Sequence, residues 1–230
     1  MVYRADRFEN AQQPHGIARA RAICVNGLFF YVGLGLGLAA ACGVRPFVPL
    51  LLAGALASGG DLGVHFSHGH FHFLQSQWWL LAVAAAFVLA WAAQLALGLA
   101  PVVASGRSRP DPLAAAVEGI AYASGALVFA GTLSAHGDAW WPGLLGGAIA
   151  AAVAARGIGP IIAGARGRLA DRGAREALTL YLDAAALLLA VLVALLHPLG
   201  YIAAALAVFV LLRTRSRAGE RYAGLRILGR

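Results

Sequence analysis

Lysine is absent from this chain of 230 residues, and charge of either sign is scarce: 12% of the residues are charged and 60% are hydrophobic. Soluble domains carry roughly 25% charged residues. A chain with half that proportion cannot coat a globule in water, but it can coat one in lipid, where the outer surface is itself apolar. An ordinary soluble enzyme is thereby excluded. Cysteine is nearly missing too. Cys24 and Cys42 form neither a CxxC pair nor a disulfide framework, and read as buried thiols. The first 23 residues mix polar and charged side chains and lack the short apolar core and small-residue cleavage site of a secretory signal. Also missing are a P-loop, a dinucleotide fingerprint and an HExxH pair. Ser124-Gly125 has no strand before it and so lacks the setting of a nucleophile elbow. The expectation is a protein that is not an enzyme and requires no cofactor.

What the chain does have is long apolar runs, with a mean hydropathy of +0.74. Divided by spans of about 20 residues, it has room for about six crossings with short loops. The net charge of +8 comes from 18 arginines, most of them in tails and loops beside the apolar runs. That placement suits a lipid bilayer, with anionic lipids as partners of the cytoplasmic arginine clusters, rather than nucleic acid. The chain divides into a cytoplasmic arm at 1–26, a helix bundle at 27–212 and a basic cytoplasmic tail at 213–230.

The first apolar run, Gly27 to Ser58, is too long for one straight span and short for two. Gly43-Val-Arg45-Pro46 interrupts it, because Pro46 and Pro49 remove helical donors. The expected product is a broken or re-entrant first segment. Gln77–Leu99, Pro112–Leu133, a block from Trp140 to about Ala155, Glu176–Leu196 and Leu199–Leu212 follow as further apolar blocks. Arginine-rich segments (the arm, 105–111, 156–175 and the tail) alternate with arginine-free ones at 59–76, 135–141 and 197–198. By the positive-inside rule both termini are expected in the cytoplasm of a bacterial inner membrane, with an even number of crossings. Two full crossings within 27–58, giving seven, is the alternative. Small residues such as Gly33, Gly35, Gly37, Gly125 and Gly147 are placed to let helices approach closely. The fold class is all-α, a polytopic transmembrane helix bundle.

Several segments together resemble the uncharacterised bacterial membrane family called domain of unknown function 4126. They are the Gly-rich start, Gly43-Val-Arg45-Pro46-Phe47-Val-Pro49-Leu-Leu-Leu, a Trp-led helix, Ser124-Gly125-Ala126-Leu127, Gly146-Gly147 and Leu178-Thr-Leu-Tyr-Leu-Asp183. The likeness covers most of 27–212. Where members often carry acidic and Lys residues, this chain has Gln94, Gly98 and Leu99. The resemblance implies a membrane protein and carries no activity with it.

Arg45, Glu118 and Asp183 are ionisable groups inside apolar blocks, with Gln94, Tyr122 and Tyr181 as polar companions. A charge at the bilayer centre costs at least about 2.5–3.5 kcal/mol on insertion scales, so such groups are retained for pairing or for a pathway. Asp183 is the expected partner of Arg45, with Glu118 the second choice. Interrupted helices in transporters bind ions or substrates at their free ends. These residues therefore point to a small-solute or ion transporter or channel-like protein, with an internal polar site around Asp183. A structural or partner-binding subunit is the alternative, and a homodimer is a candidate assembly for either.

A third reading comes from His65, His68, His70 and His72, joined by His136 and His197 on the same expected outer face. Imidazole suits Zn, Cu and Ni, and an extended loop would present alternate histidines together. That reading is an outer-face metal-binding or sensor protein.

Overall fold

The computed structural model describes residues 14–59, 71–97 and 112–227, with side chains at 27–59, 71–92 and 115–216, Arg172 excepted. The described residues form seven helices and no strands: α1 (Pro14–Val44), α2 (Phe47–Gly59), α3 (Gln77–Leu97), α4 (Pro112–Ala135), α5 (Trp141–Arg168), α6 (Arg172–Leu195) and α7 (Leu199–Ile227). A short 3-10 turn at His72–Gln75 precedes α3. Among the described residues five stretches are long and apolar enough to cross a membrane: Gly27–Val44, Ala115–Ala135, Trp141–Arg168, Gly173–Leu195 and Leu199–Ser216. Exposed leucine, isoleucine and phenylalanine side chains cover α5, α6 and α7. That is the surface a bilayer requires, and it makes this an all-α membrane protein.

The first apolar run is broken where the sequence indicates. Helix α1 stops at Val44, Arg45 and Pro46 are non-helical, and α2 begins at Phe47. The pieces that follow are longer than the apolar blocks suggest. Helix α5 runs through Pro160 to Arg168, so most of the expected arginine-rich loop at 156–175 is helix, and only residues 169–171 turn the chain. Asp171 caps α6 by accepting from the Ala174 amide at 3.1 Å. Helix α7 likewise continues through the basic segment to Ile227.

Glycine sets how the helices meet. A Cβ at Gly33 would lie 2.6 Å from the His197 carbonyl oxygen, and one at Gly37 would lie 2.6 Å from the Gly200 Cα. At Gly43 it would collide with the Ala151 backbone. Backbones this close leave no room for a side chain, and in lipid such van der Waals contact is the principal drive to association. Leu34, Leu38, Cys42, Val128 and Val193 fill the remaining centre.

These contacts also give the helix directions. Gly33 meets Gly200, and seven residues later on each helix Ala40 and Ala207 fall in one packed cluster with Ala154, so α1 and α7 run parallel. Helices α4 and α6 oppose them: Gly35 meets Thr132 while Gly125 meets Ala39, and Gly37 meets Val193 while Arg45 meets Asp183. The N-terminal part of the α1 span therefore lies beside His136 and His197, and α2 leads back toward that end, where Phe71 packs against Trp140. This corrects the expected topology. The start of the α1 span and the far end of α7 lie at opposite ends of the bundle. The run 27–58 goes down from that end and returns toward it. At 13 residues, α2 is about 20 Å long, short of a roughly 30 Å core, so it is the re-entrant piece.

Candidate functional site

Arg45 occupies the break between α1 and α2, and it is 8% exposed. Its Nε lies 3.0 Å from Asp183 Oδ1 on α6, and its Nη2 donates to the Thr179 carbonyl oxygen at 3.2 Å. Asp183 is eleven residues after the start of α6 and twelve before its end. At 1.5 Å per residue that is about 16 Å and 18 Å, so the pair sits near the middle of the helix. Thr179 and Asp183 are four apart and share a helix face, which lets one guanidinium reach both. The chain places Arg45 at a break because non-helical backbone lets the long side chain turn inward, while Pro46 prevents α1 from simply continuing.

Beside the pair is a small cavity of about 20 Å³, lined by Arg45, Phe47, Val48, Phe87, Trp91 and Asp183 among others. It has room for about one water molecule and two charged groups to bind it. Phe47, Phe87 and Trp91 make its wall apolar.

The remaining expected residues separate into two groups. Tyr122 donates to Glu118 Oε1, Arg156 Nε lies 3.9 Å from the same carboxylate, and the Arg156 guanidinium is 5.9 Å from the Tyr122 ring. None of these contacts reaches Arg45 or Asp183, and the Arg156 and Glu118 side chains are 60% and 43% exposed. Glu118 is thus a partner of Arg156 on the α4–α5 surface and not part of the internal site. Tyr181 is also corrected: it is 74% exposed. Two residues before Asp183 on a helix of 3.6 residues per turn, it points to the opposite face. Gln94 lies on α3, with its side chain outside the described residues.

Two residues join the site that the sequence reading did not include. Arg166, near the end of α5, donates from Nη2 to Thr179 Oγ1 at 3.3 Å, and Thr179 itself is buried. Thr179 stands one helical turn before Asp183, a spacing that could have marked it. Arg166 carried no signal, since it looked like one more loop arginine.

At the opposite end, His136 stacks on Tyr31 and its Nδ1 lies 2.8 Å from the Thr132 carbonyl oxygen, while His197 meets Phe30 edge-on. Burial pushes the His197 imidazole below its ordinary value, and the neighbouring His136 adds to this. His72 is exposed in the 3-10 turn, and His65, His68 and His70 lie outside the described residues. Among the described residues no three His, Cys, Asp or Glu side chains converge on a metal position.

No known protein family, curated protein or solved structure matches the chain. The resemblance to domain of unknown function 4126 therefore stands on the quoted segments alone.

Proposed function

We propose that this protein is a small-solute or ion transporter or channel-like protein of a bacterial cytoplasmic membrane, with the Arg45–Asp183 pair as its internal polar site. The observation that carries this reading is a buried ion pair at a helix break, halfway along α6 and open to a water-sized cavity. Charges held this deep are expensive, and broken helices are where transporters bind their cargo. The pair would hold the pathway shut, and a cargo ion or proton competing for either partner would open it. The ends of α5 and α7, with Arg166, Arg168, Arg213 and Arg215, would face the cytoplasm.

The second reading is a structural subunit, with or without a second copy of the chain. It is favoured by the smallness of the cavity and by the glycine-tight contacts of α1 with α5 and α7. Flux measurements separate the two. The purified full chain in liposomes, under an imposed potassium diffusion potential, is assayed for proton, sodium and chloride movement. A transporter gives flux above protein-free vesicles for at least one of these ions, reduced at least tenfold in a folded Asp183→Asn variant. Folded protein that moves none of them contradicts ion transport through the pair and favours the structural subunit.

A further inference from the structure

Charge stands on the outer surface of the bundle, where lipid chains offer it no partner. Arg156 on α5 and Glu118 on α4 both carry exposed side chains, and both lie within apolar spans, Trp141–Arg168 and Ala115–Ala135. Arg156 is fifteen residues past Trp141, about 22 Å along α5 and inside a roughly 30 Å hydrocarbon core. Ionisable groups at such a depth nearly always face protein or a water-filled cavity. An arginine can lift its head to the membrane surface, but this one reaches sideways. Its guanidinium lies 5.9 Å from the Tyr122 ring and its Nε 3.9 Å from Glu118 Oε1, a separation longer than a hydrogen bond. The helix face beside this loose pair also differs from those of its neighbours. Helices α5, α6 and α7 turn leucine, isoleucine or phenylalanine outward. Helix α4 turns out Ala115, Ala116, Gly119 and Ala123, and among the described residues Ile120 is its one large exposed apolar side chain. A second helix can come close to such a surface.

We propose that α4 and the adjoining edge of α5 form a homodimer interface, occupied by a second copy of this chain, in which Arg156 of each copy pairs with Glu118 of the other. Two copies inserted the same way in one membrane are related by a two-fold axis along its normal, and that operation preserves depth. Cross-pairing therefore requires Arg156 and Glu118 to stand at the same level, and their 3.9 Å separation meets this. The patch is self-complementary: each copy offers one cation and one anion to the same two groups of the other, and all four charges leave lipid together. Tyr122, which donates to Glu118, orients the carboxylate for its partner. Pairing here is independent of whether the bundle transports anything.

The test is Förster transfer between donor- and acceptor-labelled copies of the full chain, diluted stepwise in vesicles of phosphatidylcholine and phosphatidylglycerol. Wild-type transfer should fall with dilution as a monomer–dimer equilibrium does. Arg156→Glu and Glu118→Arg each set like charges against one another, and each alone should dimerise at least about tenfold more weakly. Mixed, the two variants regain opposite-charge pairs across the interface and nowhere within a chain. Their hetero-pair should return to within about threefold of the wild type. Ala123→Trp leaves every charge in place, adds bulk to the outer face of α4, and should weaken pairing at least about tenfold. It decides the matter should a charge variant fail to fold. A wild type that stays monomeric at every dilution overturns the interface and leaves Arg156 to the lipid headgroups. So does a folded single variant that self-associates like the wild type, or a mixture no stronger than its components.

Discussion

Gly33 of α1 rests against Gly200 of α7, and the two helices point the same way. Parallel packing of the first and last helices is incompatible with both ends of the bundle sequence lying on one side. Single cysteines in a background of Cys24→Ser and Cys42→Ser provide the check. Leu28→Cys and Asp138→Cys should react with an impermeant thiol reagent from the same side of the membrane, and Ala170→Cys from the other. Labelling of Leu28→Cys together with Ala170→Cys would contradict the parallel arrangement.

The same contacts predict which glycines resist substitution. Gly43→Ala forces a methyl group into the Ala151 backbone, and should destabilise the bundle by about 1–3 kcal/mol, the usual range for overpacking. Gly119→Ala and Gly164→Ala have open space around the new methyl. Each should be neutral or stabilising by up to about 1 kcal/mol, because alanine is the better helix former. Unfolding in mixed micelles of increasing denaturing detergent ranks the three.

Acidification should weaken the histidine end. His197 is held neutral by burial and by its neighbour His136, so its folded pKa lies below its ordinary value of 6.5. Through that window the unfolded chain binds more protons than the folded one, and stability falls as pH drops. The unfolding midpoint should decrease from pH 7.5 to 5.5, with a shallower slope in His197→Gln. An identical slope in that variant would remove His197 as the cause.

The sequence carried the helix class and the break for distinct physical reasons. Scarcity of charge forces burial in lipid, and Pro46, which cannot donate to the preceding turn, ends α1 just before it, while Pro49 is tolerated in the first turn of α2. It also paired Arg45 with Asp183, because two opposite charges stranded in apolar runs have few other partners. Direction was less legible. Arginine counting assigns loops to sides, but an apolar run of the length of Gly27–Ser58 can cross once or go down and back, and only the contacts of Gly33 and Ala40 decide. The ends of α5 and α7 were misjudged for a related reason. Arginine is a good helix former, so a change from apolar to basic composition marks the membrane boundary without ending the helix. Glu118 and Tyr181 illustrate a third limit, since position along a span says nothing about which face meets the interior.

The Arg45–Asp183 pair joins the α1–α2 break to the middle of α6, and a double-mutant cycle on it is the most direct measurement. Unfolding free energies are compared for the wild type, Arg45→Met, Asp183→Leu and the double variant. Each single change strands a buried charge and should destabilise by about 3–5 kcal/mol, while the double variant should be more stable than either single one. Coupling of at least about 2 kcal/mol is expected. Effects that add to within about 0.5 kcal/mol, the behaviour of independent sites, would contradict the pair.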